Sequence, residues 1–372
     1  MKELLNRFHE IAAHPAKQKD VYLAAGEQVV LTAPVYTPEE LIHAMGLVPM
    51  GAWGADIQID RAKTYFPAFI CSVMQSILEL GICGAYSGVS AIVIPSLCDS
   101  LKCLGENWKY AVPSIPFIPM VYPQNRAGEA GRAFVKEGYR RVAADLEKAT
   151  GRRLTEDALA HSVVVYNEHN SVMRQLGEVL AAHPEISAAE RSDIYKSAWF
   201  LRKEEHTALV RDLLARLEQR RPSGEKVKIM TTGILCDSPE LLDAFDSLGF
   251  QITADDVAAE SRQYRTDTPD DLPPLDALSE KFARMGNCSV LYEPQKERIS
   301  QIVETARACG AKGIVHVLTK FCDPEEFDFP ILKKECGAAG LPLLSVEVDR
   351  QMTYFEQART LLEAFRDMLK SN

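Results

Sequence analysis

Two cysteines stand where the chain turns from one secondary structure element into the next, and a third lies near the start of a predicted helix. Cys98 follows the β-branched stretch 91–97, and Cys322 follows the apolar stretch 313–318. Cys71 lies in the early turns of a helix that the sequence predicts from Pro67. Backbone N–H groups and the positive end of the helix dipole favour a thiolate there, the form that binds metal or attacks an electrophile. The alternative for each is a buried thiol that acts as a small apolar filler.

An aspartate follows two of these cysteines, giving the pairs Cys98-Asp99 and Cys322-Asp323. Asp323 with Pro324 is typical of a helix N-cap followed by proline at the first helical position. In an open α/β sheet, ligands collect in the crevice outside the carboxyl ends of the strands. The two pairs are therefore predicted to contribute to one metal site.

The rest of the pattern predicts how these cysteines are positioned. Short apolar stretches alternate with amphipathic helical segments in the first and last thirds of the chain, and the middle third is helical throughout. We predict an α/β fold with two Rossmann-like (flavodoxin-like) parallel-sheet domains and additional helices. The expected parts are an N-terminal α/β domain 1–150, a helical segment 151–221 and a C-terminal α/β domain 225–372, joined by a linker at 220–224.

Composition excludes several classes of protein. The net charge is −10 and no dense Lys/Arg stripe is present, which argues against nucleic acid as a partner. No apolar run approaches the roughly 18 residues that a membrane span needs, and residues 1–20 lack the apolar core of a signal peptide. We therefore expect a cytoplasmic protein with no membrane partner. The nine cysteines fit metal ligands better than a disulfide framework.

Several common catalytic motifs are missing from the sequence. It has no GxxxxGK[ST] loop, no G-x-G-x-x-G turn after a strand and no G-x-S-x-G elbow. Nucleotide hydrolysis, dinucleotide binding and serine-hydrolase chemistry are thus not indicated. The spacing of Cys98 and Cys103 does not match a zinc CxxC knuckle. The histidines in predicted helices and strands are expected to be structural: His43, His161, His169, His183, His206 and His316.

Three segments carry a resemblance to a known family. They are Pro67-Ala68-Phe69-Ile70-Cys71, Cys98-Asp99-Ser100-Leu101 and Phe321-Cys322-Asp323-Pro324-Glu325-Glu326. The chain resembles the smaller (β) subunit of the 2-hydroxyacyl-CoA dehydratases. The similarity covers essentially the whole chain, with further matching segments at 36–40, 49–54, 166–168, 255–262 and 356–360.

The resemblance implies a cofactor, a reaction and partners. Cys71, Cys98 and Cys322 would be three ligands of a [4Fe-4S] cluster between the two domains, leaving one iron without a cysteine. The enzyme, a hydro-lyase of amino-acid fermentation, would remove water from an (R)-2-hydroxyacyl-CoA to give the (E)-2-enoyl-CoA through a ketyl radical. The partners would be a larger (α) subunit, forming a heterodimer, and an ATP-dependent iron–sulfur activator protein. Because the substrate-binding cluster of the family lies in the larger subunit, no acid–base residue is expected here.

Some assignments stay open in the sequence. Cys103 could compete for the fourth iron, although a structural role is preferred. Glu260 and Arg262 could face the partner subunit or the coenzyme. The acyl group could be lactoyl, isocaproyl, glutaryl or aryl-lactoyl. Alternative functions are a double-cubane-type reductase of small molecules, a benzoyl-CoA-type reductase subunit and a non-catalytic electron-relay subunit. The remaining cysteines are expected to be core or surface thiols: Cys83, Cys236, Cys288, Cys309 and Cys336.

Overall fold

Two four-stranded sheets form the framework of the chain in a computed structural model, which describes residues 1–352 and 354–371. Every strand pair in both sheets is parallel. The predicted α/β fold with two parallel sheets is therefore confirmed. The strands are β1 (Val29–Thr32), β2 (Val48–Gly51), β3 (Ala91–Pro95) and β4 (Phe117–Met120) in the first sheet, and β5 (Val227–Gly233), β6 (Phe250–Val257), β7 (Gly313–Thr319) and β8 (Leu343–Val348) in the second.

Both sheets have the same strand order. The first runs β2-β1-β3-β4 and the second β6-β5-β7-β8, which is the order of a flavodoxin-like sheet. In each sheet the order reverses between the first and third strands, where Leu31 pairs with Ile92 and Thr231 pairs with Val315. Connections leave such a point toward opposite faces of the sheet, so a crevice opens at its carboxyl end.

Helices cover both sheets and fill the region between them in sequence. Fourteen lie within the described residues. Those of the first part are α1 (Lys2–Ala13), α2 (Pro15–Ala24), α3 (Glu39–Ala44), α4 (Ser72–Ile82), α5 (Asp99–Ala111), α6 (Glu129–Thr150) and α7 (Glu156–Ala182). They are followed by α8 (Ala188–Ser197), α9 (Lys203–Glu218), α10 (Pro239–Ser247), α11 (Pro274–Arg284), α12 (Glu297–Ala308), α13 (Asp323–Ala339) and α14 (Glu356–Ser371). No helix in the described ranges is both long and apolar enough to cross a membrane.

Local chemistry explains where several elements begin. The strands β1 and β3 are buried along their whole length, as expected for apolar parallel strands with helices on both faces. The Thr155 hydroxyl accepts a hydrogen bond from Ala158 N and caps α7, and Ser187 with Glu190 forms a capping box at α8. These caps fix the starts of α7 and α8, two of the helices that lie between the two sheets in sequence.

Three predicted helix starts are wrong. The helix expected from Pro67 begins at Ser72, because Ile70 N–H closes a turn onto Pro67 O and diverts the chain. Asp323 is the first residue of α13 rather than its cap, and Pro324 follows at the second position. The residues Thr37-Pro38-Glu39-Glu40 match a capping box with Thr37 as the N-cap, but α3 begins at Glu39 and the Thr37 hydroxyl donates to Ala33 O (2.8 Å) instead.

One apolar core spans both sheets. It includes Leu31 in the first sheet and Val317 in the second. Trp199 stacks on Trp53 with ring centroids 5.0 Å apart and donates its indole N–H to Ala259 O (3.2 Å). The two halves therefore share packed side chains. The three-part division at 150, 221 and 225 stays a prediction, and its last part includes Thr353 and Asn372, which lie outside the described residues.

Candidate functional site

Each of the three predicted cysteines is the residue that immediately precedes a helix. Cys71 is the N-cap of α4, Cys98 of α5 and Cys322 of α13. All three line one cavity of about 460 Å³. Cys71 and Cys322 are buried and Cys98 is partly exposed. The structure thus brings together the cysteines that the sequence selected.

The cavity lies where the switch points of the two sheets meet. Val35 follows β1 and Cys98 follows β3, while Ile234 follows β5 and Cys322 follows β7, and all four line the cavity. These are the strand ends at which strand order reverses in the two sheets. Because ligands of doubly wound folds bind at such ends, a single ligand here would contact both halves of the chain.

A tight turn aims Cys322 into the cavity. Cys322 N–H donates to Thr319 O (3.0 Å), and its carbonyl accepts from Glu325 N–H (3.0 Å). Phe321, which lies between Thr319 and Cys322, has φ = 60°, a left-handed conformation that non-glycine residues rarely adopt. This conformation turns the chain within two residues of the strand end at Thr319. The turn therefore exposes the start of α13 to the cavity.

Burial governs the protonation of the three thiols. It raises the pKa of Cys71, raises that of Cys98 to about 12 and raises that of Cys322 well above its usual value. Charge repulsion from Cys71 raises the pKa of Cys98 and of Cys322 further. Backbone N–H groups at each helix start act in the opposite direction but do not outweigh burial. The expected thiolates therefore need a bound cation, whose binding would release protons.

The three thiols form a donor set that suits an iron–sulfur cluster. Among the described residues, no three His, Cys, Asp or Glu side chains come close enough together to hold a single metal ion. The three thiols instead stand around a shared cavity. Thiolate sulfur selects soft metals, and the ligands of an iron–sulfur cluster bind different irons and so stand further apart. The donor set and the cavity fit such a cluster.

Comparison with known proteins identifies the family of the chain. The family model described as 2-hydroxyglutaryl-CoA dehydratase, D-component, matches residues 34–369. The chain belongs to this family. It is 42% identical to the (R)-phenyllactyl-CoA dehydratase beta subunit of Clostridium sporogenes and 40% identical to the lactoyl-CoA dehydratase subunit beta of Anaerotignum propionicum, with 99% of each chain covered in both cases.

A further dehydratase-family relative is the (R)-2-hydroxyglutaryl-CoA dehydratase subunit beta of Acidaminococcus fermentans, at 34% identity over 98% of this chain and 99% of the relative. The resemblance predicted from the three cysteine segments is confirmed. The predicted enzyme class agrees too, since these relatives are subunits of dehydratases, which are hydro-lyases. Their designation as beta subunits implies a second, alpha subunit.

A buried ionic network supports the Cys322 helix of this dehydratase-family chain. Glu325, in the first turn of α13, accepts from Ser289 Oγ (2.6 Å), Arg298 Nη2 (2.9 Å) and Arg262 Nη2 (3.2 Å). Burial acts to raise the pKa of Glu325, but the two arginines hold it well below its usual value. The carboxylate therefore stays charged and fixes α13 to the loop at Ser289 and to α12.

The residues left open by the sequence do not line the cavity. Arg262 and Glu260 are buried, with Arg262 bonded to Asp256 and Glu260 to Arg191, and neither lines the cavity. Burial raises the pKa of Glu260 to about 7, against the attraction of Arg191. Cys103 is exposed on α5 and does not line the cavity. Residues 1–352 and 354–371 contain no disulfide.

Two kinds of site residue escaped the sequence. Tyr292 and Phe327 are exposed by 58% and 75% at the cavity rim, and the sequence contains no pattern that distinguishes them from ordinary surface aromatics. Arg298 did carry a signal. It stands one turn before Ile302 and next to Ile299 on the buried stripe of α12, where a charge is stable only with a partner.

Proposed function

We propose that the chain is the smaller subunit of a 2-hydroxyacyl-CoA dehydratase and holds a [4Fe-4S] cluster on Cys71, Cys98 and Cys322. The observation that carries this proposal is the convergence of three helix-capping cysteines on one cavity at the switch points of both sheets. The beta-subunit names of the relatives support the enzyme class.

The protein surroundings of the cysteines suit electron transfer. When bound, a [4Fe-4S] cluster supplies one-electron transfer at a potential that its surroundings set. The apolar side chains of Val73, Leu97 and Ile234 line the cavity and limit the access of water. Helix N-termini at all three cysteines direct N–H groups toward the sulfurs and stabilise negative charge there.

The reaction that we propose removes water from an (R)-2-hydroxyacyl-CoA and gives the (E)-2-enoyl-CoA. One electron added to the thioester carbonyl yields a ketyl radical anion, which expels the 2-hydroxyl group as hydroxide. The radical that remains has an acidified hydrogen on the β-carbon, and loss of this proton, which forms water with the hydroxide, followed by return of the electron gives the enoyl-CoA. The electron returns after each turnover, so it is needed only in catalytic amounts. It would come from a separate ATP-driven iron–sulfur activator protein, and the substrate would bind mainly to a larger partner subunit.

The acyl group differs among the relatives. Their names specify phenyllactyl, lactoyl and 2-hydroxyglutaryl groups, although the chain is 34–42% identical to all three. We propose that the larger subunit selects the acyl group and that this chain contributes the cysteine cavity to the reaction. Exchanging the larger subunit while keeping this chain should then change which acyl-CoA is dehydrated.

The test is product formed per electron supplied, measured without oxygen. The chain is mixed with its larger subunit, reduced activator, ATP and an (R)-2-hydroxyacyl-CoA, and is also assayed alone. The proposal predicts no turnover by the isolated chain and many products per electron with the pair.

A reductase would instead consume reductant in proportion to product. That outcome would favour the alternative suggested by a more distant relative, a subunit of the benzoyl-CoA reductase of Thauera aromatica, which is 24% identical over 92% of this chain. Turnover by the isolated chain would contradict the proposed dependence on a larger subunit.

A further inference from the structure

Arg350 links the two halves of the molecule next to the start of α4, which follows Cys71. Its backbone N–H donates to the Ser72 hydroxyl (3.1 Å), and its guanidinium donates to Asp56 (3.0 Å) and to Trp53 O (3.3 Å). These three partners belong to the first half of the chain. A second carboxylate, on Asp237 after β5, accepts from Nη2 (3.1 Å). Only 6% of Arg350 is exposed.

We propose that Arg350 is a positioning residue that fixes the Cys71 turn relative to the Cys322 turn and favours the reduced state of the cluster. The inference rests on the cysteine-bound cluster of the proposed function. Ser72 directly follows Cys71 and is the first residue of α4, and its hydroxyl accepts from the backbone N–H of residue 350. The guanidinium contacts with Asp56 and Trp53 O hold that backbone in place beside Ser72. The bidentate contact with Asp237 holds the same arginine to the second sheet.

A second connection reaches the Cys322 turn. Arg350 Nε and Thr319 Oγ1 are buried and have no hydrogen-bond partner among the described residues. Both residues line a cavity of about 20 Å³, which is large enough for one water. A water there would accept from Nε–H and bond to the Thr319 hydroxyl. Thr319 O accepts from Cys322 N–H, so the water would complete a link between the two cysteine turns.

The positive charge of Arg350 should stabilise the reduced state of the cluster. Its carboxylate partners are Asp56 and Asp237, and Lys196 also binds Asp237 (3.0 Å), so two positive and two negative groups balance. One-electron reduction adds a negative charge to the group held by the cysteines, and a buried cation nearby stabilises that charge. Removing the guanidinium leaves an excess of negative charge. The midpoint potential should then become more negative.

The test compares Arg350→Gln and Arg350→Lys with the wild-type chain, purified without oxygen. Arg350→Gln should bind iron about tenfold or more weakly than the wild type, measured by transfer of iron to a chelator. It should also show a more negative midpoint potential in a redox titration followed by EPR. Arg350→Lys keeps the charge but loses the bidentate contact. It should lose iron faster at a nearly unchanged midpoint.

The matched control is Arg191→Lys. Arg191 is also buried between two carboxylates, Asp255 and Glu260, but it contacts neither Ser72 nor Thr319. Its variant should retain iron and keep the wild-type midpoint. Iron retention and midpoint like those of the wild type in both Arg350 variants would overturn the inference, as would equal losses in Arg191→Lys. If Arg350→Gln does not fold, iron loss in Arg350→Lys decides. A wild-type chain without iron would instead overturn the proposed function itself.

Discussion

Arg298 and Glu325 form a fully buried ion pair, with Arg298 Nη2 2.9 Å from Glu325 Oε2. It joins α12 to the first turn of the helix that begins after Cys322. Arg298 also binds Asp256 (2.9 Å) and Asp328 (2.9 Å), so one guanidinium neutralises parts of three carboxylates. Removing one member of such a network leaves uncompensated buried charge, which is much more destabilising than losing a surface pair.

Arg298→Ala should therefore lower the free energy of unfolding by about 3–5 kcal/mol. Urea unfolding of the metal-free chain measures this change. The control is Arg284→Ala, which removes the ion pair between the exposed Arg284 and Glu280 and should cost at most about 1 kcal/mol. Similar losses in the two variants would show that the buried network does not stabilise the Cys322 helix.

Acid should destabilise the fold through a pair of buried histidines. His206 Nε2 lies 3.0 Å from Ile194 O, which only accepts, so Nε2 carries the proton, and Nδ1 accepts from His169 Nε2 (3.0 Å). Burial lowers the pKa of His206 to about 3 and that of His169 well below its usual value. In the unfolded chain both protonate near pH 6.5.

Between the folded-state pKa of about 3 and the unfolded value of about 6.5, the unfolded state binds more protons than the folded state. The stabilising contribution of the neutral histidines is therefore fully present above about pH 6.5 and is lost as the pH falls toward 3. Each histidine should contribute a slope of about 1.4 kcal/mol per pH unit. His206→Gln should flatten the curve of unfolding free energy against pH, measured by urea titration from pH 7 to pH 4, whereas the exposed His161→Gln should not. An unchanged slope in His206→Gln would refute this assignment.

Gly233 ends β5 at the switch point of the second sheet and has φ = 150°. A Cβ atom there would lie 2.3 Å from Val317 O in the neighbouring strand β7. Gly233→Ala should therefore force the strands apart beside the cavity and destabilise the chain by about 1–3 kcal/mol, measured by thermal or urea unfolding.

Gly337, inside α13, provides the opposite control. A Cβ atom there meets nothing within 4 Å, and alanine is the better helix former. Gly337→Ala should stabilise the chain by about 0.5–1 kcal/mol. If Gly233→Ala is as stable as the wild type, the close approach of β5 and β7 does not constrain the edge of the cavity.

The sequence predicts the parts of the site that depend on local pattern. The apolar stretches 91–97 and 313–318 locate β3 and β7, and the position of Cys98 and Cys322 after strands follows from the same patterns. The start of α4 does not follow from local pattern, because the turn from Pro67 to Ile70 competes with helix formation and only the tertiary fold decides between the two.

The supporting contacts are harder to predict because they join residues far apart in the chain. Arg350 meets Asp56 across 294 positions, and Arg262 meets Glu325 across 63. Helical or strand periodicity carries no information about such pairs. The protonation of the cysteines is a similar case, since helix N-termini favour thiolates but the burial that outweighs them depends on both sheets.

The most direct test of the account is the iron and acid-labile sulfide content of the chain, purified without oxygen, in the wild type and in single serine variants. The wild type should hold about four irons and four sulfides per chain, as one [4Fe-4S] cluster requires. Cys71→Ser, Cys98→Ser and Cys322→Ser should each lose most of that iron, whereas the exposed Cys103→Ser should keep it. Loss of iron in Cys103→Ser together with full retention in Cys71→Ser would contradict the assignment of the ligands.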